Sequence, residues 1–146
     1  MSVFMEIIGN PFMKAVLGSP FHPLMSKNVA LISVTGKTSG KVYTLPVNYQ
    51  RDGNEIWNVS MRDRTWWKNL RDGAKVVLRL AGKEMEADGE VFEGKPEISQ
   101  HLKEFIHRSP AYGKYLHVGL DAKGAPLQED VERAAESRVM VRVMLS

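Results

Sequence analysis

The sequence has no cysteine, no long apolar run and no strong excess of charge, and each absence narrows the classes of protein to consider. The lack of cysteine excludes disulfides, thiolate nucleophiles and cysteine-ligated metals, and it favours a reducing compartment such as the cytoplasm. No apolar run approaches the roughly 20 residues that a membrane-spanning helix needs, and the N-terminus lacks a signal-peptide pattern. We therefore expect a soluble cytoplasmic protein.

The near balance of charge bears on the partners. The chain has 20 Lys and Arg against 17 Asp and Glu, a net charge of +3. Nucleic-acid binders usually concentrate a larger basic excess on one face, so anionic small molecules are the expected partners and nucleic acid is not. The lowest-ranked alternative is a barrel that binds single-stranded nucleic acid by stacking bases on Trp66, Trp67, Tyr43 and Tyr49.

The sequence also lacks the common signatures of catalysis by side chains. Its four histidines do not have the spacing of metal ligands, so we expect no metal site. No G-x-S-x-G motif is present, and the acidic residues are scattered as on a solvated surface. These absences favour chemistry that a bound cofactor carries out, while the protein supplies binding and orientation.

A length of 146 residues suits one hydrophobic core, so the whole chain, 1–146, is interpreted as a single domain. Its N-terminal segment, about residues 2–18, has apolar residues at helical spacing and an Asn10-Pro11 helix start. We interpret this segment as an amphipathic lid on the core. Weak contact with a membrane surface is the alternative, disfavoured because the polar face has few basic residues.

Beyond the lid, the pattern predicts six strands and several helices. The strands are expected at 29–34, 42–50, 55–60, 75–80, 84–92 and 138–145. Asp52-Gly53 should join the second and third of these as an antiparallel hairpin, and Ala81-Gly82-Lys83 should form another turn. Helices are expected at 66–71, 96–107 and 127–136, the first capped by Thr65 or Asp63. Gly89 is interpreted as a β-bulge. This order predicts an antiparallel small barrel with peripheral helices.

The loop Gly36-Lys37-Thr38-Ser39-Gly40-Lys41 is the first candidate site. Cationic side chains and small residues that let backbone N–H groups approach an anion are typical of phosphate binding. A nucleotide-binding P-loop is excluded, because that motif needs glycine where this chain has Leu31 and a helix where it predicts a strand. A solvated polar turn remains the alternative.

The second candidate site is the short helix that follows residue 65. Arg62 and Arg64 precede its N-terminus, where side chains and backbone N–H groups could face the same anion as the lysine loop. Trp66 and Trp67 are consecutive and point to different sides, so at most one is expected in the core while the other faces a pocket or solvent. The alternative is that both are packing anchors. Asn69 is interpreted as either a surface residue or an oriented donor.

The lysine loop and the tryptophan helix resemble those of the deazaflavin-dependent nitroreductase family. This family belongs to the flavin and deazaflavin oxidoreductases, which are built on an FMN-binding-like split β-barrel. The resemblance covers most of the chain. It depends on Thr35 to Lys41 with Pro46 five residues on, then on Ser60 and the run Trp66-Trp67-Lys68-Asn69-Leu70, and finally on Tyr112 and Tyr115 before the last strand.

The resemblance implies an α+β, mainly antiparallel fold and the deazaflavin coenzyme F420. It implies hydride transfer to a quinone, nitroaromatic or activated alkene, in which Ser60, Tyr112 and Tyr115 are catalytic and orient the acceptor or pass a proton. The implied cofactor-binding residues are Lys37, Thr38, Ser39, Gly40, Lys41, Pro46, Ser60, Met61, Arg62, Arg64, Trp66, Trp67 and Asn69. Related barrels often dimerise, so a homodimer is also implied.

Two departures and two alternatives accompany this resemblance. Tyr43 stands where the family commonly has a basic residue, and Thr38 replaces a frequent lysine, so the phosphate contacts are fewer. The first alternative is an FMN-binding reductase on the same barrel. The second is a non-catalytic carrier of an apolar ligand such as a fatty acid, because the larger superfamily includes both kinds of protein.

Overall fold

The computed structural model describes residues 29–145. The helical lid predicted at about residues 2–18, and with it the alternative of membrane-surface contact, lies outside the described residues. Within them, no helix is long and apolar enough to cross a membrane. The acidic and basic side chains found here are mostly exposed, and the apolar ones form two buried clusters.

Seven strands form one antiparallel sheet in residues 29–145. They are β1 (Val29–Thr35), β2 (Val42–Asn48), β3 (Gln50–Asp52), β4 (Glu55–Met61), β5 (Ala74–Leu80), β6 (Lys83–Phe92) and β7 (Arg138–Leu145). Their order in the sheet is β2-β1-β5-β6-β7-β4-β3. A 3₁₀ helix, Trp66–Leu70, follows β4, and three α-helices lie between β6 and β7: α1 (Lys95–Arg108), α2 (Ala111–Tyr115) and α3 (Gln128–Ser137). The predicted α+β split-barrel fold class is confirmed.

The sheet curls so that its two edges approach each other. β2 and β3 are the edge strands, yet only Tyr49 separates them in the chain. The side chain of Asn58 on β4 crosses the opening, where its Nδ2 donates to the carbonyl oxygen of Asn48 at 2.8 Å. We call this opening between β2 and β4 the seam. Pro46 lies on β2, where an edge strand tolerates the missing N–H group.

The two clusters lie on the two faces of the sheet. The first fills the curled interior with Ile32, Val34, Leu78, Val141 and neighbouring side chains. The second lies between the outer face of the sheet and the helices, and includes Trp57, Met140 and the buried sides of α1 and α3. The alternation along β7 assigns Val139, Val141 and Val143 to the first cluster and Met140 to the second.

The prediction of one long strand at 42–50 paired with 55–60 was wrong. β2 ends at Asn48 and pairs with β1, whereas the three-residue β3 pairs with β4, from Gln50 opposite Trp57 to Asp52 opposite Glu55. The chain changes edges at Tyr49, and this raises the count from six strands to seven in residues 29–145. The turn predicted at Asp52-Gly53 is present, and Gly53 has a φ of 61°.

The β-bulge predicted at Gly89 is absent. Pairing continues without interruption through Gly89, which lies opposite Ala74 on β5 and Val143 on β7. A Cβ atom at this position would lie 3.2 Å from Leu70 Cδ2 and 3.2 Å from Val76 Cγ1. Glycine is therefore favoured here because the 3₁₀ helix packs directly on the sheet, and not because the strand bends.

The helix predicted at 66–71 is one turn of 3₁₀ helix that ends at Leu70. Thr65 occupies the N-cap position, but its side chain makes no capping hydrogen bond. Gly73 follows with a φ of 82°, and its N–H donates to the carbonyl oxygen of Leu70 at 3.0 Å. The predicted glycine stop is confirmed, whereas the predicted side-chain cap is not.

Candidate active site

A cavity of about 150 Å³ lies at the seam, close to the 3₁₀ helix. Its walls come from β2, β4, the residues after β4, α2 and the start of β7. They consist of Leu45, Pro46, Val47, Asn48, Asn58, Val59, Ser60, Met61, Arg64, Trp66, Tyr112, Tyr115, Leu116 and Arg138. Two more open grooves along α1, of about 560 and 830 Å³, contain none of the residues predicted from the sequence.

Seven of the predicted site residues meet at the seam cavity. They are Pro46, Ser60, Met61, Arg64, Trp66, Tyr112 and Tyr115, and they include all three residues predicted to be catalytic. These residues are up to 69 positions apart in the chain, since Pro46 lies on β2 and Tyr115 ends α2. The curling of the sheet brings them together at one opening.

Trp66 holds the hydroxyl group of Ser60. The indole Nε1–H donates to Ser60 Oγ at 3.0 Å, and both residues are about 8% exposed. Ser60 Oγ therefore accepts from Trp66, and its own hydrogen is left to donate toward the cavity. A serine hydroxyl fixed by a buried donor is oriented without the conformational freedom that an exposed serine keeps.

The prediction that at most one of the two tryptophans lies in the core was wrong, because both belong to the buried cluster of the curled interior. Trp67 is only 1% exposed, and its Nε1–H donates to the carbonyl oxygen of Met61 at 3.1 Å. The cationic groups of Lys68 and Arg71 lie over its ring at 5.9 and 5.3 Å from the centroid. Trp67 is therefore a packing anchor, whereas Trp66 is buried against the core and also borders the cavity.

The two tyrosines of α2 differ in environment. Tyr112 is half-buried and packs edge-on against Phe105, with ring centroids 4.8 Å apart. Burial raises the pKa of the Tyr112 phenol above its ordinary value, and the neighbouring Tyr115 raises it further. Tyr112 thus stays protonated at neutral pH and can donate a hydrogen bond. Tyr115 is 66% exposed, with the Arg138 guanidinium 5.8 Å from its ring centroid.

The lysine loop lies against the far side of the 3₁₀ helix. The backbone N–H of Lys37 donates to Asn69 Oδ1 at 3.1 Å, and the Lys37 ammonium donates to the carbonyl oxygen of Arg71. Asn69 Nδ2 donates in turn to the carbonyl oxygen of Trp66 at 3.1 Å. The loop is therefore connected through Asn69 to the tryptophan that borders the cavity, although the loop itself does not line it.

Most backbone donors of the lysine loop are used within the protein. Gly36 N donates to the carbonyl of Lys41 at 2.7 Å, Gly40 N donates to the carbonyl of Gly36 at 2.9 Å, and Lys41 N donates to Ser39 Oγ at 3.2 Å. The five-residue 3₁₀ helix is also too short for aligned peptide dipoles to sum appreciably. Any anion here would be held mainly by side chains.

Arg62 has a different environment from the one predicted for a phosphate contact. Its Nη2 donates to the carbonyl oxygens of Glu93, Arg138 and Ala135, at 2.9, 3.1 and 3.4 Å. It therefore ties β4 to the ends of β6 and α3 and to the start of β7. Arg64, two residues on, is exposed and lines the cavity. The spacing of the two arginines gave no sign of this difference.

Sequence reasoning missed Asn58, Asn48 and Arg138, all of which line the cavity. Asn58 and Ser60 lie two apart on β4, so their side chains face the same side of the sheet. A polar residue at an inward position of an apolar strand was the signal available in the sequence. Arg138 carried no such signal, because its neighbourhood depends on α2, a helix for which the sequence pattern gave no prediction.

The comparisons with known proteins concern the fold and the family. In the structures compared, an F420-H2 dependent reductase (FDR-A) is 18% identical, with a TM-score of 0.52 over 80% of this chain and 94% of that one. The general stress FMN/FAD binding protein of Xanthomonas citri is 14% identical, with a TM-score of 0.52 over 84% and 78%. A structure described as a domain-swapped dimer is 16% identical, with a TM-score of 0.50 over 97% and 99%. No curated protein sequence matches the chain significantly.

The fold is thus that of the flavin- and deazaflavin-binding split barrels. The family model for F420H(2)-dependent quinone reductase matches residues 11–121, which is most of the sequence. This chain belongs to that family. It is a deazaflavin-dependent oxidoreductase, as the resemblance implied, and the structures that share its fold include flavin-binding proteins.

Proposed function

We propose that this chain binds coenzyme F420 in its reduced form and transfers a hydride to a quinone, a nitroaromatic or an activated alkene. The family supports the coenzyme and the quinone. The single observation that carries the assignment to the seam is the Ser60 hydroxyl, held by a buried indole N–H in a cavity that also contains two tyrosines. When bound, the reduced deazaflavin supplies the hydride, and the protein supplies position and hydrogen bonds.

The donors and apolar surfaces around the seam fit such a ring and its acidic tail. Trp66 offers an indole face, Arg64 offers a cation at the rim, and Lys41 is exposed with no ion-pair partner among residues 29–145. In our proposal the ring-side contacts are Pro46, Ser60, Met61, Arg64 and Trp66, and the tail-side contacts are Lys37, Thr38, Ser39, Gly40 and Lys41. Asn69 connects the two groups through its hydrogen bond with Lys37. Arg62 and Trp67 hold the surrounding backbone in place through hydrogen bonds to the carbonyl oxygens of Arg138 and Met61.

Ser60, Tyr112 and Tyr115 are proposed to act on the acceptor. Reduction of a quinone or nitro group places negative charge on an oxygen atom, and a preorganised donor stabilises that charge. The Ser60 O–H and the Tyr112 O–H are both protonated at neutral pH and both border the cavity. Tyr115, at the exposed rim, would contact the outer part of the acceptor.

The direct experiment measures binding and turnover together. The chain is titrated with F420 and, separately, with FMN, and reduced F420 is then mixed anaerobically with menadione, a nitroimidazole or cyclohexenone. We expect F420 to bind more tightly than FMN, and reduced F420 to be oxidised by at least one acceptor. Binding of neither compound at micromolar concentration would refute the proposal, and binding of FMN alone would replace F420 by FMN.

Two buried serines provide a matched pair for the catalytic assignment. Ser60 and Ser99 are both about 8% exposed, but Ser99 lies on α1, away from the seam. We expect Ser60→Ala to lower turnover by about 10–100-fold, which is at or below the low end of the effect typical of a positioned proton donor. Ser99→Ala should leave turnover unchanged. Equal turnover in the two variants would remove Ser60 from the mechanism.

A homodimer is a further part of the proposal, supported by the fold of the domain-swapped neighbour. Met61 and Tyr115 are apolar or aromatic side chains at the mouth of the cavity, 40% and 66% exposed. A second copy of the chain could cover them and complete the site. Sedimentation equilibrium with and without F420 tests this, and a monomer under both conditions would contradict it. The cytoplasm remains the expected location.

A further inference from the structure

The side chain of Asn58 has one satisfied end and one unsatisfied end. Its Nδ2 donates across the seam to the carbonyl oxygen of Asn48 at 2.8 Å. Its Oδ1 is buried, and no donor among residues 29–145 lies within hydrogen-bonding distance of it. The orientation of the amide follows from its partner, because a carbonyl oxygen can accept only from the NH₂ end. Buried acceptors in native proteins are almost always paired, so this oxygen needs a partner.

The position of Asn58 indicates that a partner for its Oδ1 would come from the cavity. Asn58 is only 7% exposed and lines the seam cavity together with Ser60. The two residues are separated by one position on β4, so they share a face and their Cα atoms are about 7 Å apart. Ser60 accepts from Trp66 and keeps its hydrogen to donate. The wall therefore presents a hydrogen-bond acceptor beside a hydrogen-bond donor.

This pattern selects among the ligands of the proposed reaction. A quinone or a nitro group carries only acceptor oxygens, which suit Ser60 and leave Asn58 Oδ1 unpaired. A fatty-acid tail offers no hydrogen-bonding group at all. Flavins and deazaflavins share a pyrimidinedione ring whose imide N–H lies between two carbonyl groups. That edge can donate to Asn58 Oδ1, and the single hydrogen of the Ser60 hydroxyl then stays available for the oxygen of the acceptor.

We propose that Asn58 Oδ1 accepts the hydrogen bond of the imide N–H group of the coenzyme ring, which makes Asn58 a specificity-determining residue of the seam cavity. This inference depends on the proposed function, because it needs the ring to enter this cavity. It goes further by naming the edge of the ring that faces β4. The contact favours rings with a free imide N–H over ligands that can only accept hydrogen bonds.

The test changes the ligand before it changes the protein. The probes are 8-hydroxy-5-deazariboflavin, which is the ring fragment of F420, and its derivative methylated at the imide nitrogen. Each is titrated into the full chain and followed by its fluorescence. We expect methylation to weaken binding tenfold or more, because it removes the donor and leaves Asn58 Oδ1 buried and unpaired. Equal affinity for the two probes would overturn the inference, with water then the partner of Asn58.

A variant separates the lost hydrogen bond from a steric clash of the methyl group. Asn58→Ala removes the acceptor and leaves space, so the penalty for methylation should fall to less than threefold. If methylation still weakens binding tenfold in Asn58→Ala, the methyl group clashes with a residue other than Asn58, and the inference is overturned. Because this substitution also breaks the contact with Asn48, its fold is checked by circular dichroism. Asn58→Gln, which displaces the amide by one methylene, is used if Asn58→Ala does not fold.

The outcome for the proposed function is read separately. If F420, FMN and both ring probes all fail to bind, the proposed function fails and takes this inference with it. If the unmethylated ring binds and methylation has no effect, the proposed function stands and only the role of Asn58 is lost.

Discussion

The hydrogen bond between Trp66 and Ser60 should contribute to stability and turnover in different proportions. Trp66→Phe keeps an aromatic wall and removes the indole N–H that donates to Ser60 Oγ at 3.0 Å. Ser60→Ala removes the acceptor and leaves that N–H without it. A double-mutant cycle made from the two single variants and the double variant isolates the interaction between the residues.

The size of the effect follows from burial. Trp66 is about 8% exposed, so Ser60→Ala leaves its indole N–H buried and unpaired, which costs about 1–3 kcal/mol. Trp66→Phe should cost less, because Ser60 Oγ lines the cavity and water can replace the indole N–H. The volume lost on Trp66→Phe opens into the existing cavity of about 150 Å³, where water can enter, so we add no large penalty for an empty space. In the double variant neither group is left unpaired, and the coupling energy should be about 1 kcal/mol.

Urea unfolding of the four proteins measures the free energies of unfolding, and anaerobic oxidation of reduced F420 by menadione measures turnover. Trp66→Phe should lower turnover less than Ser60→Ala does, since it disorders the hydroxyl without removing it. Additivity of the unfolding free energies to within about 0.3 kcal/mol would show that the hydrogen bond contributes nothing to stability. Greater loss of turnover in Trp66→Phe than in Ser60→Ala would refute the proposed role of the serine.

Three further predictions concern the lysine loop, the sheet and the fall in stability at acid pH. Lys41→Ala should weaken F420 binding by about 1–3 kcal/mol without changing the melting temperature, whereas Lys37→Ala should lower both, because its ammonium also donates to a backbone carbonyl; calorimetric titration and thermal melts separate the two. Gly89→Ala should destabilise the fold by about 1–3 kcal/mol through contacts at 3.2 Å, and an unchanged urea midpoint would show that the neighbours move aside. Arg71 lowers the pKa of Glu93, so that pair's contribution to stability is present above the ordinary value of 4.5 and is lost as pH falls through the lowered pKa. Glu93→Gln should therefore make the free energy of unfolding less dependent on pH in that range. The same pH dependence in the variant and in the original protein would contradict this.

Much of the fold could be predicted from local pattern. The alternation of β7, the apolar β1 and the turn residues at Gly53 and Gly82 are local signals, and the elements they predicted are present. The change of edges at Tyr49 could not be predicted, because it depends on which distant strands pair. Gly89 misled for the same reason: a glycine in a strand marks either a bend or a close neighbour, and here the neighbour is Leu70, from another element.

The candidate site was predictable in its residue types more than in its contacts. Glycine, lysine and tryptophan signals identified the loop and the 3₁₀ helix, which lie together as expected. The sequence did not show that the loop's backbone donors are satisfied internally, or that Arg62 binds carbonyl groups. Such assignments need the positions of partners far along the chain. Asn58 illustrates the same limit, since its importance comes from an oxygen that only the folded arrangement leaves unpaired.

The position of β7 between β6 and β4 has a consequence for the order of folding. Glu55 pairs with Met144 at the far end of the strand, 89 residues later in the chain. During folding the β3–β4 hairpin must wait for β7, because β4 has no other long partner in residues 29–145. Such non-local pairing slows folding and leaves strand edges exposed in the meantime. Expression at low temperature, or with a chaperone that covers those edges, should therefore improve the yield of folded protein.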